Sequence, residues 1–272
     1  MMGGEQQDAA AEEPDAPSTF CAICHDEVTA SDTLILPCAH SFCRGCIDTL
    51  FIRQSEYASR CPNCRAPLFG AAQKSFDQGF NWLSDDGECD AAVECFTAAR
   101  DAAEPFATGP AGLNRLATAA QYNIGRAHET AGRLEPAAAA YRAAFTMSQQ
   151  TDASAVSNEG TMRFRLGQNA AAMVCWESAI ALDPGDILTH LNIGSAYLDM
   201  SSGDLAIVGA QAKVDLVIAL DPHNAGAHNL QGVLMQRQGQ INQARAAYSR
   251  ALALNPDHPD FARNLAALGG LD

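Results

Sequence analysis

The sequence lacks two features that define common functional classes, a long apolar run and a basic segment. No stretch of about 18 apolar residues occurs, so we expect no segment that crosses a membrane. Lys and Arg number 17 against 32 Asp and Glu, and the formal net charge is −15. A protein that follows a phosphate backbone needs a clustered basic surface. We therefore expect no nucleic acid and no membrane among the partners.

Aromatic side chains are scarce as well. They form 7% of the chain, whereas hydrophobic residues together form 47%. A chain of 272 residues with this apolar fraction can build one large or two modest domains. Because alanine is abundant and rings are few, we expect a helical core filled mainly by small side chains.

The N-terminus lacks the basic start and apolar centre of a signal peptide. Residues 1–20 are acidic and predict a disordered, solvated tail. We expect a soluble intracellular protein, in the cytoplasm or alternatively in the nucleus. Thiols stay reduced there, and grouped cysteines in such proteins bind metal more often than they form disulfides.

Seven of the ten cysteines fall between residues 21 and 64, where they form close pairs with each other and with one histidine. Zinc takes four such ligands in a tetrahedron. Eight ligands therefore predict two zinc ions in filled sites, with no open position for a reacting water. The four pairs are Cys21 and Cys24, Cys38 and His40, Cys43 and Cys46, and Cys61 and Cys64.

The order C-x2-C, C-x-H-x2-C-x2-C, C-x2-C resembles a RING finger. The resemblance implies a small α+β cross-brace fold over residues 21–66, stabilised by two structural zinc ions because so short a segment has too little apolar surface to fold alone. It also implies how the ligands are shared. The first zinc would take Cys21, Cys24, Cys43 and Cys46, and the second would take Cys38, His40, Cys61 and Cys64.

The same resemblance implies a ubiquitin-protein ligase, which recruits a conjugating enzyme charged with ubiquitin and contributes no nucleophile itself. Residues matching the family's enzyme-docking surface are Ile23, Leu50 and Pro62, although many members have tryptophan at the position of Leu50. Arg65 matches an arginine that bonds both ubiquitin and the enzyme, a role suited to a multi-donor guanidinium. The alternative is that these residues only cap a small core and that the protein is a non-enzymatic scaffold or co-chaperone adaptor.

From about residue 73 the chain repeats itself. Glycines recur 34 to 38 residues apart at Gly125, Gly160, Gly194 and Gly232, and most are followed by an Ala–aromatic–Ala stripe at helical spacing. The pattern resembles the tetratricopeptide repeat and predicts an all-α solenoid after a linker at 67–72. We expect five helix pairs, the fourth with four extra residues near 201–205, and then a capping helix and tail at 259–272. The predicted units are about 73–106, 118–151, 153–186, 187–224 and 225–258.

Asn123, Asn158 and Asn192 each precede an aligned glycine by two residues. An amide offers both a donor and an acceptor, so a ladder of amides can bind the backbone of an extended peptide. We predict a peptide-binding groove there, holding a protein substrate or adaptor. The alternative, that these amides bond only neighbouring repeats, stays open. A clamp for a carboxyl terminus, built on Lys74 with groove arginines such as Arg126, Arg163 and Arg165, is a further alternative.

Overall fold

The computed structural model describes residues 19–21, 23–24, 26–28, 33–35, 41–43, 46, 70–84, 88–103, 114–200 and 203–270. Seven of the predicted site residues lie outside these ranges, as do the acidic tail up to residue 18 and the first part of the predicted linker. The seven are Leu50, Pro62, Arg65, Cys38, His40, Cys61 and Cys64.

The N-terminal part contains two short antiparallel hairpins. Strand β1 (Thr19–Phe20) pairs with β2 (Glu27–Val28), and β3 (Thr33–Ile35) pairs with β4 (Ser41–Cys43). The Cys21 backbone N–H donates to the Asp26 carbonyl at 3.0 Å, which closes the turn between β1 and β2. The hairpins therefore bring cysteines that are distant in sequence to the ends of paired strands.

The rest of the described chain is helical. Consecutive helices pack as antiparallel pairs around small apolar clusters that repeat along the array. The helices are α1 (Gly70–Ser84), α2 (Cys89–Ala103), α3 (Asn114–Thr130), α4 (Leu134–Met147), α5 (Ala153–Arg165), α6 (Asn169–Leu182), α7 (Ile187–Met200), α8 (Asp204–Leu220), α9 (Ala225–Arg237), α10 (Ile241–Leu254) and α11 (Pro259–Ala267), followed by a 3-10 turn at Leu268–Gly270. None of the described helices is long and apolar enough to cross a bilayer.

Local signals set where these helices begin and end. The Asp152 carboxylate accepts from the Ala155 N–H at 3.0 Å at the start of α5, and Asn224 caps α9 in the same way. Three glycines follow the ends of α3, α5 and α9 with φ between +71° and +74°, a left-handed conformation that favours glycine. They are the second glycines of the repeat pattern, Gly132, Gly167 and Gly239.

The aligned glycines allow an aromatic ring to lie against the neighbouring helix. A Cβ added at Gly125 would lie 2.8 Å from the Tyr141 ring, and one at Gly160 would lie 2.8 Å from the Trp176 ring. Gly79 with Phe96 and Gly232 with Tyr248 form the same pair. The ring thus fills the space that a side chain on the first helix of the pair would take.

The fourth helix pair reverses this arrangement. Tyr197, on α7, packs against Gly209 on α8, whose added Cβ would be 3.0 Å from the ring. The aligned Gly194 instead faces Leu230 of the next pair. Helix α8 has 17 residues, whereas α6 and α10 have 14 each. Of the extra residues predicted near 201–205, Asp204 and Leu205 therefore lie in the first turn of the second helix of this pair.

Candidate functional site: a four-cysteine cluster and the face of the helical array

Four thiols converge at the ends of the two hairpins. The Sγ atoms of Cys21, Cys24, Cys43 and Cys46 all lie within 4.8 Å of one another. The Cys24 and Cys43 sulfurs are 3.9 Å apart, whereas thiolates bound 2.3 Å from a tetrahedral zinc lie about 3.8 Å apart. The cluster is thus of the right composition and size for zinc. Within the described residues it is the one group of this kind.

The turns that carry these cysteines direct backbone donors at the sulfurs. The Ile23 N–H donates to the Cys21 sulfur, and the Cys46 N–H donates to the Cys43 sulfur, both at 3.4 Å. In a tight C-x2-C turn, backbone N–H groups point at the first sulfur. Hydrogen bonds of this kind favour the thiolate over the thiol. The C-x2-C spacing therefore prepares the sulfurs for a cation.

The pKa values of the cluster differ from one thiol to the next. Burial acts to raise the pKa of Cys21, but N–H groups of Cys24, Cys43 and Ile23 outweigh it and bring the pKa to about 6. Burial, followed by bonds to the Cys43 and Cys24 thiols, raises the pKa of Cys46. A thiolate at Cys21 therefore forms near neutral pH, whereas the raised pKa of Cys46 means that its proton leaves when a cation binds.

These four cysteines are the set that the RING resemblance assigns to the first zinc. Which ion they hold stays a prediction, and so does the second site, because its ligands fall outside the described residues. Ile23 lies in the turn between two of the ligands and is 38% exposed. The turn between Cys21 and Cys24 thus holds an apolar side chain at the surface.

The predicted amide ladder makes contacts inside the array. Asn158 Nδ2 donates to the Tyr122 hydroxyl at 2.8 Å, and Asn192 Nδ2 donates to Thr161 Oγ1 at 3.2 Å, each in the preceding helix pair. Asn123 bonds within its own helix, to the Ala119 carbonyl at 2.8 Å. Both Asn158 and Asn192 therefore bond a neighbouring repeat, and each keeps a second amide hydrogen for another acceptor.

The arginines of the clamp alternative differ in availability. Arg163 donates to Glu159 at 2.6 Å and to Gln168 at 3.0 Å, so its guanidinium is committed within the array. Arg126 is exposed and reaches the Asn123 side chain at 3.3 Å. Arg163 thus has a buried carboxylate as its partner, whereas Arg126 is open to solvent.

A cavity of about 750 Å³ lies beside Asn123, between α3 and the loop that follows α4. Its walls include Tyr122, Arg115 and Asp152, residues that the sequence analysis did not select. The loop contains Gln149 and Gln150 with φ of 58° and 63°. The sequence contains one sign of this longer loop. Gly125 and Gly160 are 35 residues apart, one more than Gly160 and Gly194.

Together these parts define a protein that joins a small cysteine-clustered finger to a solenoid of helix pairs. The chain carries a RING finger domain near its N-terminus, followed by tetratricopeptide repeats. The Ring finger domain model matches residues 19–65. Tetratricopeptide repeat models match residues 83–151, 160–201 and 225–258.

Curated relatives are similar to part of this chain. RING finger protein 141 of Homo sapiens is 37% identical over 87 residues, which is 31% of this chain and 32% of that protein. RING finger protein PSH1 of Saccharomyces cerevisiae is 35% identical over 51 residues, 19% of this chain and 12% of that one. The human E3 ubiquitin-protein ligase SH3RF2 is 41% identical over 51 residues, 18% of this chain and 6% of that one. The chain thus spans less than a third of the length of each of these relatives.

Solved structures show the fold of the helical part. A tetratricopeptide repeat protein from Parabacteroides merdae is 17% identical with a TM-score of 0.58, over 73% of this chain and 72% of that chain. The structure of the APC/C hetero-tetramer Cut9-Hcn1 contains a chain 16% identical with a TM-score of 0.56, over 72% of this chain and 36% of that one. At these identities the likeness concerns architecture alone.

Proposed function

We propose that the protein is a RING-type ubiquitin-protein ligase that binds a protein substrate or adaptor through its repeats. The observation that carries the proposal is the four-cysteine cluster, together with a RING finger match that covers residues 19–65. A related finger occurs in a protein named as an E3 ubiquitin-protein ligase. The helical array supplies the extended surface on which repeat proteins bind their ligands.

In this proposal two structural zinc ions hold a cross-braced finger, with Cys21, Cys24, Cys43 and Cys46 on the first. The second takes Cys38, His40, Cys61 and Cys64. The finger would occupy residues 21–66, and the five repeats would run from 73 to 258 with the boundaries given above. Filled sites leave no ligand position for water, so the metal acts on folding and takes no part in the chemistry.

The reaction would be transfer of ubiquitin to a lysine. The lysine nitrogen attacks the thioester carbonyl on the conjugating enzyme, a C–N bond forms, the C–S bond breaks, and the enzyme's thiol is released. The finger would dock the enzyme through Ile23, Leu50 and Pro62, while Arg65 orients the ubiquitin. Its contribution is orientation of the reacting groups, and the repeats add a high effective concentration of the substrate.

A self-ubiquitination assay with purified activating enzyme, a panel of conjugating enzymes and ubiquitin tests this proposal. We expect chains with at least one enzyme and a loss of at least about tenfold in rate for Ile23→Ala, because a central apolar anchor dominates such interfaces. Phe20→Ala is the matched control, since Phe20 is also apolar and exposed and lies outside the proposed docking set. Absence of chains with every enzyme in the panel would favour the scaffold alternative.

The groove is tested separately, with peptides selected from a random library on the full-length protein. If Asn192 bonds the peptide backbone, Asn192→Ala should weaken binding by about fivefold or more. This factor corresponds to the loss of one hydrogen bond of about 1 kcal/mol. Thr161→Val removes the intramolecular partner of Asn192 but keeps its amide, so we expect unchanged peptide affinity. Equal affinities for wild type and Asn192→Ala would assign this asparagine to repeat packing alone.

A further inference from the structure

Helix α8 has apolar residues on two sides, one buried and one exposed. Its buried side carries Ala206, Ala210, Val214 and Val217, which pack within the array. A surface helix of a globular protein normally has one apolar side facing the core and polar residues on the other side. The outer side of α8 is nevertheless open, with Leu205 89% exposed and Val208 65% exposed.

The exposed apolar residues follow one another at helical spacing. Leu205, Val208, Ala212, Leu216 and Ala219 are separated by three or four residues and are all exposed. This stripe extends about 21 Å along the helix at 1.5 Å per residue. Spacings of three and four are those at which one helix receives the side chains of another. We call these five residues the α8 stripe.

The other repeats do not carry such a stripe. Aligning the buried Val214 with Tyr248 places polar or small residues at the first four positions in the α10 region, and aligning it with Tyr141 does the same for the α4 region. The four residues are Gly239, which precedes α10, with Asn242, Ala246 and Arg250, and Gly132, which precedes α4, with Glu135, Ala139 and Ala143. In the repeat before α8, Val174 aligns with Ala212 and is 63% exposed. The apolar surface is therefore specific to the middle of the array.

Charge indicates what kind of partner suits this surface. Asp204 and Asp215 are exposed and lie on one edge of the stripe, eleven residues or about three turns apart. Lys213, on the opposite edge, is half-buried. The chain as a whole has a net charge of −15, so two copies would repel each other. A partner with basic residues beside an apolar face is complementary.

We propose that the α8 stripe binds an amphipathic helix of a partner protein, with the partner's apolar face on Leu205 and Val208 and its Lys or Arg residues beside Asp204 and Asp215. This site lies on the second helix of its repeat. It is separate from the predicted amide groove, and the proposal does not depend on ligase activity.

The test uses the full-length protein and two synthetic 21-residue helical peptides with Leu at heptad positions a and d. One peptide has Lys at its flanking positions and the other has Glu. By fluorescence anisotropy, we expect the Lys peptide to bind and the Glu peptide to bind at least tenfold more weakly. Leu205→Ser/Val208→Ser should raise the Kd of the Lys peptide at least tenfold. Asn242→Ser/Ala246→Ser, at the positions of α10 that align with Val208 and Ala212, should change it less than twofold.

Three results would overturn the proposal. An unchanged Kd for Leu205→Ser/Val208→Ser would show that the peptide binds elsewhere. A dimer of the wild type in sedimentation that this variant lacks would show that a second copy covers the stripe. A fall in Tm of more than about 5 °C for the variant, without weaker peptide binding, would show that the chain itself covers the stripe.

Discussion

At the scale of single residues, four glycines decide how closely the helices of a pair approach. Gly232 is the tightest case, because an added Cβ would be 2.5 Å from two ring atoms of Tyr248. That ring is 1% exposed and its hydroxyl donates to Gln236 at 2.9 Å, so it has little freedom to move away. Packing here opposes helix propensity, which favours alanine over glycine.

We predict that Gly232→Ala destabilises the protein, in spite of alanine's helix propensity. The propensity gain is about 1 kcal/mol, whereas overpacking costs about 1–3 kcal/mol. A net loss of up to about 2 kcal/mol should appear as a lower urea midpoint in circular dichroism. In the double variant with Tyr248→Leu the glycine substitution should cost less than it does alone. A higher midpoint for Gly232→Ala would contradict the packing argument.

At the scale of elements, one buried carboxylate joins two helices, α4 and α5. Glu159 on α5 accepts from Arg142 of α4 at 2.7 Å and from Arg163, four residues on, at 2.6 Å. Its side chain is only 2% exposed. The nearby Cys175 of α6 has a raised pKa because it is buried and, secondarily, because the Glu159 charge disfavours a thiolate. The Glu159 carboxylate thus links the second and third repeats, and its buried charge needs at least one arginine as a partner.

This arrangement predicts a non-additive response to mutation. Arg142→Met alone should cost about 1 kcal/mol, because Arg163 still compensates the carboxylate. Replacing both arginines leaves a buried charge without a partner and should cost about 3–5 kcal/mol. The measurement is the urea midpoint of each variant, with Arg263→Met as a control for an exposed ion pair at the end of the array. If the double variant lost only the sum of the single losses, the two arginines would not share the carboxylate's compensation.

At the scale of the whole molecule, the two parts obtain their stability from different sources. The helical array has its own apolar clusters, centred on rings such as Phe96, Trp176 and Tyr248. The finger has short strands and a thiol cluster, and metal binding to such a segment is coupled to its folding. Removing metal should therefore affect one part and leave the other folded.

We predict that 1,10-phenanthroline releases zinc and abolishes ubiquitin transfer while helicity persists. The ellipticity at 222 nm should stay within about a tenth of its starting value, and the Tm of the array should shift by less than about 2 °C. The non-chelating isomer 1,7-phenanthroline is the matched control. Joint loss of zinc and helicity would show that the array depends on the finger.

Much of the helical array could be predicted from the sequence. Period, glycine positions and the Ala–aromatic–Ala stripe all act within one repeat or between adjacent repeats, so they are visible in local spacing. The same spacing showed that the fourth unit has extra residues near 201–205. It did not show that α8 is longer than the second helices of other pairs. It also did not show that in this pair the ring, Tyr197, lies on the first helix and the glycine, Gly209, on the second.

The candidate sites also combine features that the sequence predicts with features that depend on the tertiary structure. Pair spacing within the sequence determined that residues 21–64 carry cysteine and histidine pairs of the kind that bind zinc, because thiols two residues apart can share an ion wherever the chain folds. Only the tertiary structure decided that Cys21 and Cys24 meet Cys43 and Cys46, and that Asn158 and Asn192 bond neighbouring repeats. These contacts join residues about 20 to 35 positions apart, and a hydrogen bond depends on atomic distances that sequence spacing does not encode.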